Sequence, residues 1–477
     1  MKKILFAGSE AMPFAATGGL GDVLGALPPA LAAVNPDWDV RVVMPLYAQV
    51  SEEWRSKMTL VEVINVTLSW REQYCGIYSL DYKGVKYYFV DNEYYFGRTA
   101  LYGFFDDPER FAFFSRAVLD LMGVTGFYPD VLHANDWQTA LSVIALKEER
   151  GGMEGYKDVR AVYTIHNIDY QGVYGMGIIN DVFGLAEEKA SIVEYSGALN
   201  LTKGAVVCAD FVTTVSPQYA QEIRTEYFSH GLHHIINQYA FKLGGIINGI
   251  DEAAYDPSKD ADIPTAFSAD ALAGKKACKE ALQREFGLDI RPDVPVIAMV
   301  SRLAEHKGFD LVCKVADELM NDDVQFVLLG TGDAAYEAFF DEFGKRHPGR
   351  AGIRLAYNRK LSKLIYAGAD MFLMPSKSEA CGLAQMIASR YGTVPIVRET
   401  GGLYDTIKPY SWNRTGNGFT FAAYNAYDML YVIREAEGVY RDRENWEELV
   451  AKIMKIDFSW NSSAAKYAAL YDEVTKG

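Results

Sequence analysis

The chain has 477 residues, and at roughly 150 residues per domain this length predicts two large folding units or about three smaller ones. Hydrophobic residues make up 49% and charged residues 23%, which excludes a disordered chain and predicts a globular protein with more than one core. The formal net charge is −16 and no segment concentrates Lys or Arg, so we expect neither nucleic acid nor an anionic membrane as a partner.

The five cysteines are widely scattered and form no C-x-x-C motif or Cys/His pair with zinc-ligand spacing. The apolar run after Lys3 stops at Gly8, which is too short for the core of a signal peptide. No stretch approaches the roughly 18 apolar residues of a membrane span. We therefore predict a reduced, cytoplasmic protein without structural zinc.

Short apolar runs rich in Val, Ile and Phe recur along the chain, as is typical of strands buried on both faces of a parallel sheet. In the first half these runs are residues 4–7, 40–44, 87–90, 131–133, 161–165 and 211–215. In the second half they are residues 296–300, 325–329, 353–356, 371–374 and 394–397. Helix-like segments lie between several of them, so the pattern predicts an α/β fold with two doubly wound domains.

Flexible turn residues around 242–251 indicate the boundary between these domains. We expect a first domain over residues 1–245 and a second over residues 246–457. Residues 458–477 are predicted to form a helix whose apolar face could pack on either domain. That predicted face consists of Trp460, Ala464, Ala465, Tyr467, Leu470 and Tyr471.

A Thr-Gly-Gly turn follows a predicted strand in each half of the chain. The first is Thr17, Gly18 and Gly19, and the second is Thr400, Gly401 and Gly402. Glycines let the backbone approach a ligand closely, and amides at a helix start attract anions. The spacing G-x-G-x-x-G is absent, so a purely structural turn is the alternative for either copy.

Charged side chains also follow predicted strands. Arg302 and Lys307 come after residues 296–300 and suit a diphosphate, although two solvated loop cations would look the same in sequence. Glu379 follows residues 371–374 and either accepts hydrogen bonds from sugar hydroxyls or stabilises a helix N-terminus. Asp136 and His166 follow two further strands, where a structural role is the alternative for each.

Taken in order, these segments resemble the bacterial glycogen synthase and plant starch synthase family of retaining glucosyltransferases. The matching motifs are T-G-G-L-G-D-V at 17–23, H-A-N-D-W-Q-T-A-L at 133–141, T-I-H-N-I-x-Y-Q-G at 164–172, T-T-V-S-P-x-Y-A at 213–220, N-G-I-D at 248–251, S-R-L-x-x-x-K-G at 301–308, S-E-A-C-G-L-x-Q at 378–385 and T-G-G-L-x-D at 400–405. So many ordered matches over nearly the whole chain make coincidence untenable.

The resemblance implies a GT-B architecture, with two Rossmann-like doubly wound domains and the donor in an interdomain cleft. It implies an acceptor-side first domain, a nucleotide-sugar-binding second domain, and a last helix that returns to the first. The implied donor is ADP-glucose, with UDP-glucose as the alternative, and the implied acceptor is glycogen or a malto-oligosaccharide, an α-1,4-glucan extended at its non-reducing end. It implies neither a metal nor an organic cofactor.

The resemblance also implies roles for single residues. His166 would lie beside the transferred glucose, Glu379 would bind donor hydroxyls, Asp136 would face the sugar or acceptor, and Tyr357 would stack on the base. Arg302 and Lys307 would meet the diphosphate charge together with the turn amides. The implied substrate-binding residues are Thr17, Gly18, Gly19, Asp22, Asn167, Asn248, Tyr357, Cys381, Gly382, Leu383, Thr400, Gly401 and Gly402.

Residue 16 departs from the family pattern, in which a lysine before the first Thr-Gly-Gly or Val-Gly-Gly turn reaches the donor diphosphate. This chain has Ala16, and it also has Ser378 and Ala380 where the family more often has an aromatic residue and a proline. A catalytically impaired glucan-binding or regulatory paralogue is therefore the alternative to an active enzyme. A nicotinamide-dependent oxidoreductase is a third hypothesis, which the missing G-x-G-x-x-G opposes.

Overall fold

The computed structural model describes residues 1–476, and their contacts divide the chain into two compact units. The first unit comprises Met1–Gly249 together with the C-terminal residues from Trp460 onwards. The second unit comprises Ile250–Ser459. Each unit contains its own sheet with helices between the strands. The sheet of the second unit is parallel, as the apolar runs predicted, whereas the large sheet of the first unit is mixed.

The first unit is built on a nine-stranded sheet with the order β12-β11-β7-β6-β1-β2-β5-β4-β3, beside a small sheet of order β8-β10-β9. Its strands are β1 (Lys3–Ala7), β2 (Asp39–Pro45), β3 (Thr59–Leu68), β4 (Arg71–Tyr82), β5 (Val85–Asp91), β6 (Val131–Asn135), β7 (Arg160–Ile165), β8 (Val173–Gly175), β9 (Glu194–Tyr195), β10 (Ala198–Asn200), β11 (Phe211–Thr214) and β12 (Leu243–Gly245).

Helices connect most of these strands. They are α1 (Gly19–Val34), α2 (Glu52–Arg55), α3 (Glu93–Phe96), α4 (Asp107–Thr125), α5 (Trp137–Glu148), α6 (Ala190–Val193), α7 (Leu201–Cys208), α8 (Pro217–Glu222) and α9 (His233–Gln238). Several begin where a short polar side chain accepts a backbone amide of the first turn, as Asn92, Asn200 and Ser216 do for α3, α7 and α8.

Strand order reverses beside β1, the central strand of the large sheet. From β1 the chain first builds towards one edge through β2, and later towards the other edge through β6 and β7. All these pairs are parallel, so the loops after β1, β6 and β7 leave the same edge of the sheet. Open α/β sheets bind their ligands at such a point of reversal.

The second unit contains a six-stranded sheet in which every pair is parallel. Its strands are β13 (Val296–Val300), β14 (Gln325–Leu329), β15 (Ala351–Arg354), β16 (Met371–Met374), β17 (Val394–Arg398) and β18 (Phe419–Phe421). The order β15-β14-β13-β16-β17-β18 is the 3-2-1-4-5-6 order of a Rossmann sheet, with its reversal between β13 and β16.

The helices of the second unit cover this sheet. They are α10 (Ala273–Glu285), α11 (Phe309–Leu319), α12 (Ala334–Arg346), α13 (Arg359–Gly368), α14 (Ala384–Arg390), α15 (Gly401–Thr406), α16 (Ala426–Arg441) and α17 (Arg443–Ile453). Among residues 1–476, no helix is long and apolar enough to cross a membrane.

The last helix, α18 (Trp460–Val474), belongs to the first unit and packs against α1. Its buried face includes Trp460, Ala464, Tyr467, Leu470 and Tyr471. The expectation that Ala465 lies on this face is wrong, because that residue is exposed. Ser463 and Ala468 are buried instead, since residues three and four positions apart along a helix share one face.

The long antiparallel hairpin of β3 and β4 was not among the predicted strands. Most of β3 is exposed, and polar residues interrupt its apolar positions, so it lacks the continuous apolar runs of a strand covered on both faces. The predicted strand at residues 353–356 is observed two residues earlier, as β15. The other predicted runs each fall on an observed strand, with ends that differ by at most two residues.

Candidate active site

In the second unit, the loops after β13 and β16 bring a lysine and a carboxylate together. Lys307 Nζ donates to both carboxylate oxygens of Glu379, at 2.9 Å and 2.7 Å. Ser376 Oγ donates to Glu379 Oε2 at 3.0 Å, and the Lys377 amide donates to the His306 carbonyl at 2.8 Å. Two of the predicted catalytic residues thus form one ion pair at the point where the strand order reverses.

Arg302 lies on the same loop as Lys307 but differs from it in surroundings. Its side chain is exposed, and among residues 1–476 it makes no hydrogen bond or ion pair. An arginine held at the carboxyl end of β13 with its guanidinium unused is suited to a planar anion such as a phosphate.

The second Thr-Gly-Gly turn packs directly against the segment that carries Glu379. Gly401 has a φ of +44°, and a Cβ there would lie 2.0 Å from the Glu379 carbonyl oxygen, so no other residue fits. The Gly402 amide donates to the carbonyls of Glu379 and Ala380, both at 3.2 Å. This amide is already used within the protein and is therefore not available to a phosphate.

The other predicted residues of the second unit lie on the same side of the sheet. Thr400 is buried and precedes α15, Cys381 is buried, and Gly382 and Leu383 immediately precede α14. Tyr357 follows β15 and is 88% exposed, next to Asn358, whose side chain caps α13. An aromatic ring this exposed is free to stack on a planar ligand.

In the first unit, Asp136 joins the loops after β6 and β7. Its Oδ1 accepts the His166 amide at 2.8 Å, and its own amide donates to the Thr164 carbonyl at 3.0 Å. Asp136 has a φ of +56°, a strained conformation for a residue with a side chain, and such strain is common at functional sites. Burial raises the pKa of Asp136 to about 7, although the His166 and Asn167 amides oppose the shift.

His166 is held in one orientation by Asn135. The Asn135 amide nitrogen donates to the carbonyls of Ala7 and His133, both at 3.1 Å, so its Oδ1 must face His166 Nε2 at 2.9 Å as an acceptor. His166 therefore carries its proton on Nε2, and Nδ1 keeps its lone pair. Burial lowers the pKa of His166 to about 3, so the ring is neutral at physiological pH.

The Glu10 carboxylate fixes the first Thr-Gly-Gly turn through three hydrogen bonds. Glu10 Oε2 accepts the amides of Thr17 and Gly18 at 2.6 Å and 3.2 Å, and Oε1 accepts Thr17 Oγ1 at 2.7 Å. Thr17, Gly18 and Gly19 are exposed, and a Cβ at either glycine would meet no atom within 4 Å. The protein itself thus leaves open space over the two glycines.

Three further predicted residues complete the first unit. Asp22 is exposed in the first turn of α1. Asn167 is half-buried, and its Oδ1 accepts the Asp169 amide at 3.0 Å. Asn248 is buried, and its Oδ1 has no hydrogen-bond partner among residues 1–476. A buried amide oxygen without a donor favours a site completed by a ligand or water.

Sequence reasoning did not single out Glu10, Asn135 or Ser376. Asn135 lies inside the H-A-N-D-W motif, and Ser376 lies three residues before Glu379, so their positions next to predicted site residues were a signal that could have found both. Glu10 lies beyond the first strand in a stretch without periodicity, and only its hydrogen bonds reveal it. Within residues 1–476 there is no group of three or more His, Cys, Asp or Glu residues arranged to hold a metal ion.

Two family models match the chain. The starch synthase catalytic domain matches residues 3–238, and glycosyl transferases group 1 matches residues 283–452. The first match contains Glu10, Asp136 and His166, and the second contains Arg302, Lys307 and Glu379.

Full-length relatives are also similar. Glycogen synthase from Geobacillus thermodenitrificans (strain NG80-2) is 46% identical over 477 residues, covering 99% of this chain and 98% of that protein. Glycogen synthase from Geobacillus stearothermophilus is similar to the same extent, at 46% identity with 99% and 98% covered. Among solved structures, the catalytic domain of Starch Synthase IV from Arabidopsis thaliana bound to ADP and acarbose superposes with a TM-score of 0.90 at 32% identity, covering 100% of this chain and 99% of that chain.

Proposed function

Because the chain belongs to the glycogen synthase family and is a hexosyltransferase of the GT-B fold, we propose that it transfers glucose from ADP-glucose to the non-reducing end of an α-1,4-glucan with retention of configuration. The family, the fold and the glycogen synthase function predicted from the ordered motifs are confirmed by the full-length matches. The oxidoreductase hypothesis is wrong, since both halves of the chain match glycosyltransferase models.

The assignment of donor-binding residues rests on the charged side chains at the point where the strand order of the second sheet reverses. Arg302 is exposed and unpaired there, and Lys307 is held beside Glu379. We infer that this unit binds the nucleotide sugar, with the two cations on the diphosphate and Glu379 on donor hydroxyls. The first unit then contributes the acceptor side.

The chemical step needs positive charge at the leaving group. As the bond between glucose C1 and the diphosphate oxygen breaks, negative charge grows on the departing nucleoside diphosphate. Each charge-assisted hydrogen bond from Arg302 or Lys307 stabilises that charge by about 1.5–3 kcal/mol. The acceptor hydroxyl oxygen bonds to C1 on the same face, and its proton passes to the departing phosphate oxygen.

In the first unit, His166 acts as a neutral group. With a pKa of about 3 it supplies no cation, and its Nε2 proton is committed to Asn135. We propose that the loop from His166 to Asn167, fixed by Asp136, contacts the transferred glucose through neutral polar atoms. Asn248 Oδ1, which has no donor within the described chain, is assigned to a sugar hydroxyl.

ADP is the proposed nucleotide because the similar Arabidopsis enzyme was solved with ADP bound. The test is an assay of the pure protein with a glycogen primer and either ADP-glucose or UDP-glucose, measuring released nucleoside diphosphate and chain length. Faster turnover with ADP-glucose is expected. Preference for UDP-glucose would overturn the nucleotide assignment alone.

A catalytically impaired paralogue is the second candidate, and Ala16 is the observation that favours it. Such a protein would bind glucan but release no ADP in the same assay. We favour the active enzyme because Arg302, Lys307 and Glu379 are all present, even though Ala16 replaces the lysine that the family usually has before the first Thr-Gly-Gly turn.

A further inference from the structure

An open cavity of about 660 Å³ lies in the first unit, between the edge strand β3 and helix α4. Its lining comes from β3, α4, the segment after α5, and Gly184. In the sheet, β2, β5 and β4 separate β3 from β1, which is roughly 19 Å at about 4.8 Å for each step between strands. The cavity is therefore separate from the loops after β1, β6 and β7. Its volume is within the range of roughly 300–1,000 Å³ that is typical of small-molecule sites.

One wall of the cavity is formed by α4. Arg116, Asp120 and Val124 line it at intervals of four residues, so they share one face of the helix. Arg116 is only 8% exposed, and its Nη1 and Nη2 donate to the Glu149 carboxylate at 2.7 Å and 3.0 Å. Its Nε is buried and has no hydrogen-bond partner among residues 1–476. A buried donor without an acceptor, on a residue that lines a cavity, favours a ligand or water that supplies the acceptor.

Arg150 provides further donors beside this wall. Its Nη1 donates to the Tyr156 hydroxyl at 2.9 Å, and its Nη2 donates to Asp120 Oδ1. An arginine has five N–H groups, so three of those on Arg150 have no acceptor among residues 1–476. The Tyr156 hydroxyl in turn donates to the Leu119 carbonyl at 2.8 Å. The Arg150 guanidinium is thus held in place by its neighbours, while most of its donors stay available to a ligand.

The opposite wall is formed by β3. Asn65 and Thr67 lie on the same face of the strand, because side chains alternate along it, and Ser69 directly follows the strand. Asn65 and Thr67 are exposed, and within the described chain none of the three side chains forms a hydrogen bond. One amide and two hydroxyls without a protein partner are therefore free to bind the oxygens of a ligand.

The polar groups of the lining are mostly donors. Arg116 and Arg150 contribute two guanidinium groups and Asp120 one carboxylate, which gives the lining a formal charge of +1 in a chain whose net charge is −16. Glu149, the partner of Arg116, is not part of the lining. Asp120 Oδ2 remains as an acceptor, because Arg150 donates only to Oδ1. The surplus of donors suits a phosphate group, and the remaining carboxylate oxygen suits a hydroxyl group.

We propose that this cavity binds a small phosphorylated sugar, at a site distinct from the donor and acceptor sites of the proposed activity. The phosphate accepts hydrogen bonds from Arg150 and from the Thr67 and Ser69 hydroxyls. The sugar hydroxyls bind Asp120 Oδ2 and the Asn65 amide. All of these residues belong to the first unit, and neither the reaction nor the position of its donor enters the inference, so its test is independent of the proposed function.

The test is a calorimetric titration of the full chain with glucose 6-phosphate, glucose and inorganic phosphate as separate probes. We expect one equivalent of glucose 6-phosphate to bind, and glucose and phosphate each to bind at least about tenfold more weakly, because each makes only part of the contacts. Equal affinity for glucose would indicate a groove for neutral saccharides, and equal affinity for inorganic phosphate would indicate anion binding alone. Either result, or no binding of glucose 6-phosphate up to about 10 mM, would overturn the proposal.

Arg150→Gln locates the binding site, and Arg41→Gln is the matched control. The side chains of Arg41 and Arg150 are 19% and 20% exposed, and Arg41 also donates to an aspartate, Asp39, and to a tyrosine hydroxyl, that of Tyr88. Arg41 lies on β2, outside the lining of the cavity. We expect Arg150→Gln to weaken the binding of glucose 6-phosphate at least about tenfold, and Arg41→Gln to change it by less than about twofold. Equal effects of the two variants would contradict the proposed site.

Two further variants complete the test. Thr67→Val removes a proposed contact from an exposed side chain without a protein partner, so it examines the site if Arg150→Gln does not fold, and it should weaken binding by about threefold or more. Arg302→Ala should leave the affinity for glucose 6-phosphate within about twofold of wild type. Loss of binding in Arg302→Ala, with binding retained in Arg150→Gln and Thr67→Val, would place the probe at the donor site and overturn the proposal.

Discussion

Lys307 Nζ donates to both carboxylate oxygens of Glu379, at 2.9 Å and 2.7 Å, whereas Arg302 five residues earlier has no partner among residues 1–476. The two cations are assigned the same task, stabilisation of the departing diphosphate. Their different surroundings mean that only one of them also contributes to the stability of the free protein.

We predict that Arg302→Ala and Lys307→Ala each lower kcat/KM for the donor by about one to two decades, since each removes a contact worth about 1.5–3 kcal/mol. Arg302→Ala should leave the free energy of unfolding within about 0.5 kcal/mol of wild type. Lys307→Ala should lower it by about 1–3 kcal/mol, because Glu379 loses its cation. Steady-state kinetics and urea unfolding check both. Near-normal kcat/KM in both variants would contradict the assignment of this loop.

Asp136 gives the enzyme a pH dependence near neutrality. Its pKa is raised to about 7, so the carboxyl is protonated below that pH and ionised above it. The ionised form is the better acceptor for the His166 and Asn167 amides, so kcat/KM of the wild type should rise with pH through about 7. His166, with its pKa near 3, should contribute no step between pH 5 and 8. A pH–rate profile of wild type and Asp136→Asn checks this, and a flat wild-type profile from pH 6 to 8 would contradict it.

His133 makes the first unit sensitive to acid. It is buried between Tyr471 of α18, at 2.5 Å, and Thr164 of β7, at 2.6 Å, and burial together with nearby His166 lowers its pKa to about 3. The unfolded chain titrates near 6.5, so it binds this proton more readily, and stability falls as the pH drops from 6.5 towards 3. Between pH 7 and 5 this site should cost about 2 kcal/mol.

Urea unfolding of wild type and His133→Gln at the two pH values measures this contribution. The variant should be less stable at pH 7 but should lose about 2 kcal/mol less than the wild type on going to pH 5. An equal loss in both proteins would show that His133 does not titrate in this way.

The sequence predicted the parallel strands because continuous Val, Ile and Phe runs are typical of strands covered on both faces, and β13, β14 and β16 were predicted to the residue. It did not predict the β3 and β4 hairpin, whose exposed polar residues resemble those of a loop. In the same way, motif order led to Asp136, His166, Arg302 and Glu379. Asn135 lies inside a motif, but its contacts with Ala7 and His166 join segments that are distant in sequence. Glu10 lies outside the matching motifs, and only its hydrogen bonds to the first Thr-Gly-Gly turn reveal it.

Ala16→Lys tests whether the first turn contacts the donor. If the turn contacts the donor, a lysine at this position would add an ammonium group to the donor site, and the nearby Glu10 would neutralise part of its charge. We therefore expect kcat/KM for the donor to rise by about two- to tenfold, equivalent to about 0.5–1.5 kcal/mol. Ala16→Met, of similar length but uncharged, is the control and should give no gain. Unchanged kinetics of folded Ala16→Lys with both donor nucleotides would remove this turn from the donor site.

The decisive experiment for the proposed activity is the transfer of radiolabelled glucose from ADP-glucose into glycogen by the wild-type protein, with EDTA present throughout. We expect label in the α-1,4-linked ends of the glycogen and one ADP released for each glucose added. The rate should be unchanged by EDTA, because we propose that Arg302 and Lys307, rather than a metal ion, meet the diphosphate charge. Absence of labelled glycogen, or a rate that EDTA abolishes and Mg²⁺ restores, would contradict the proposed function and its mechanism.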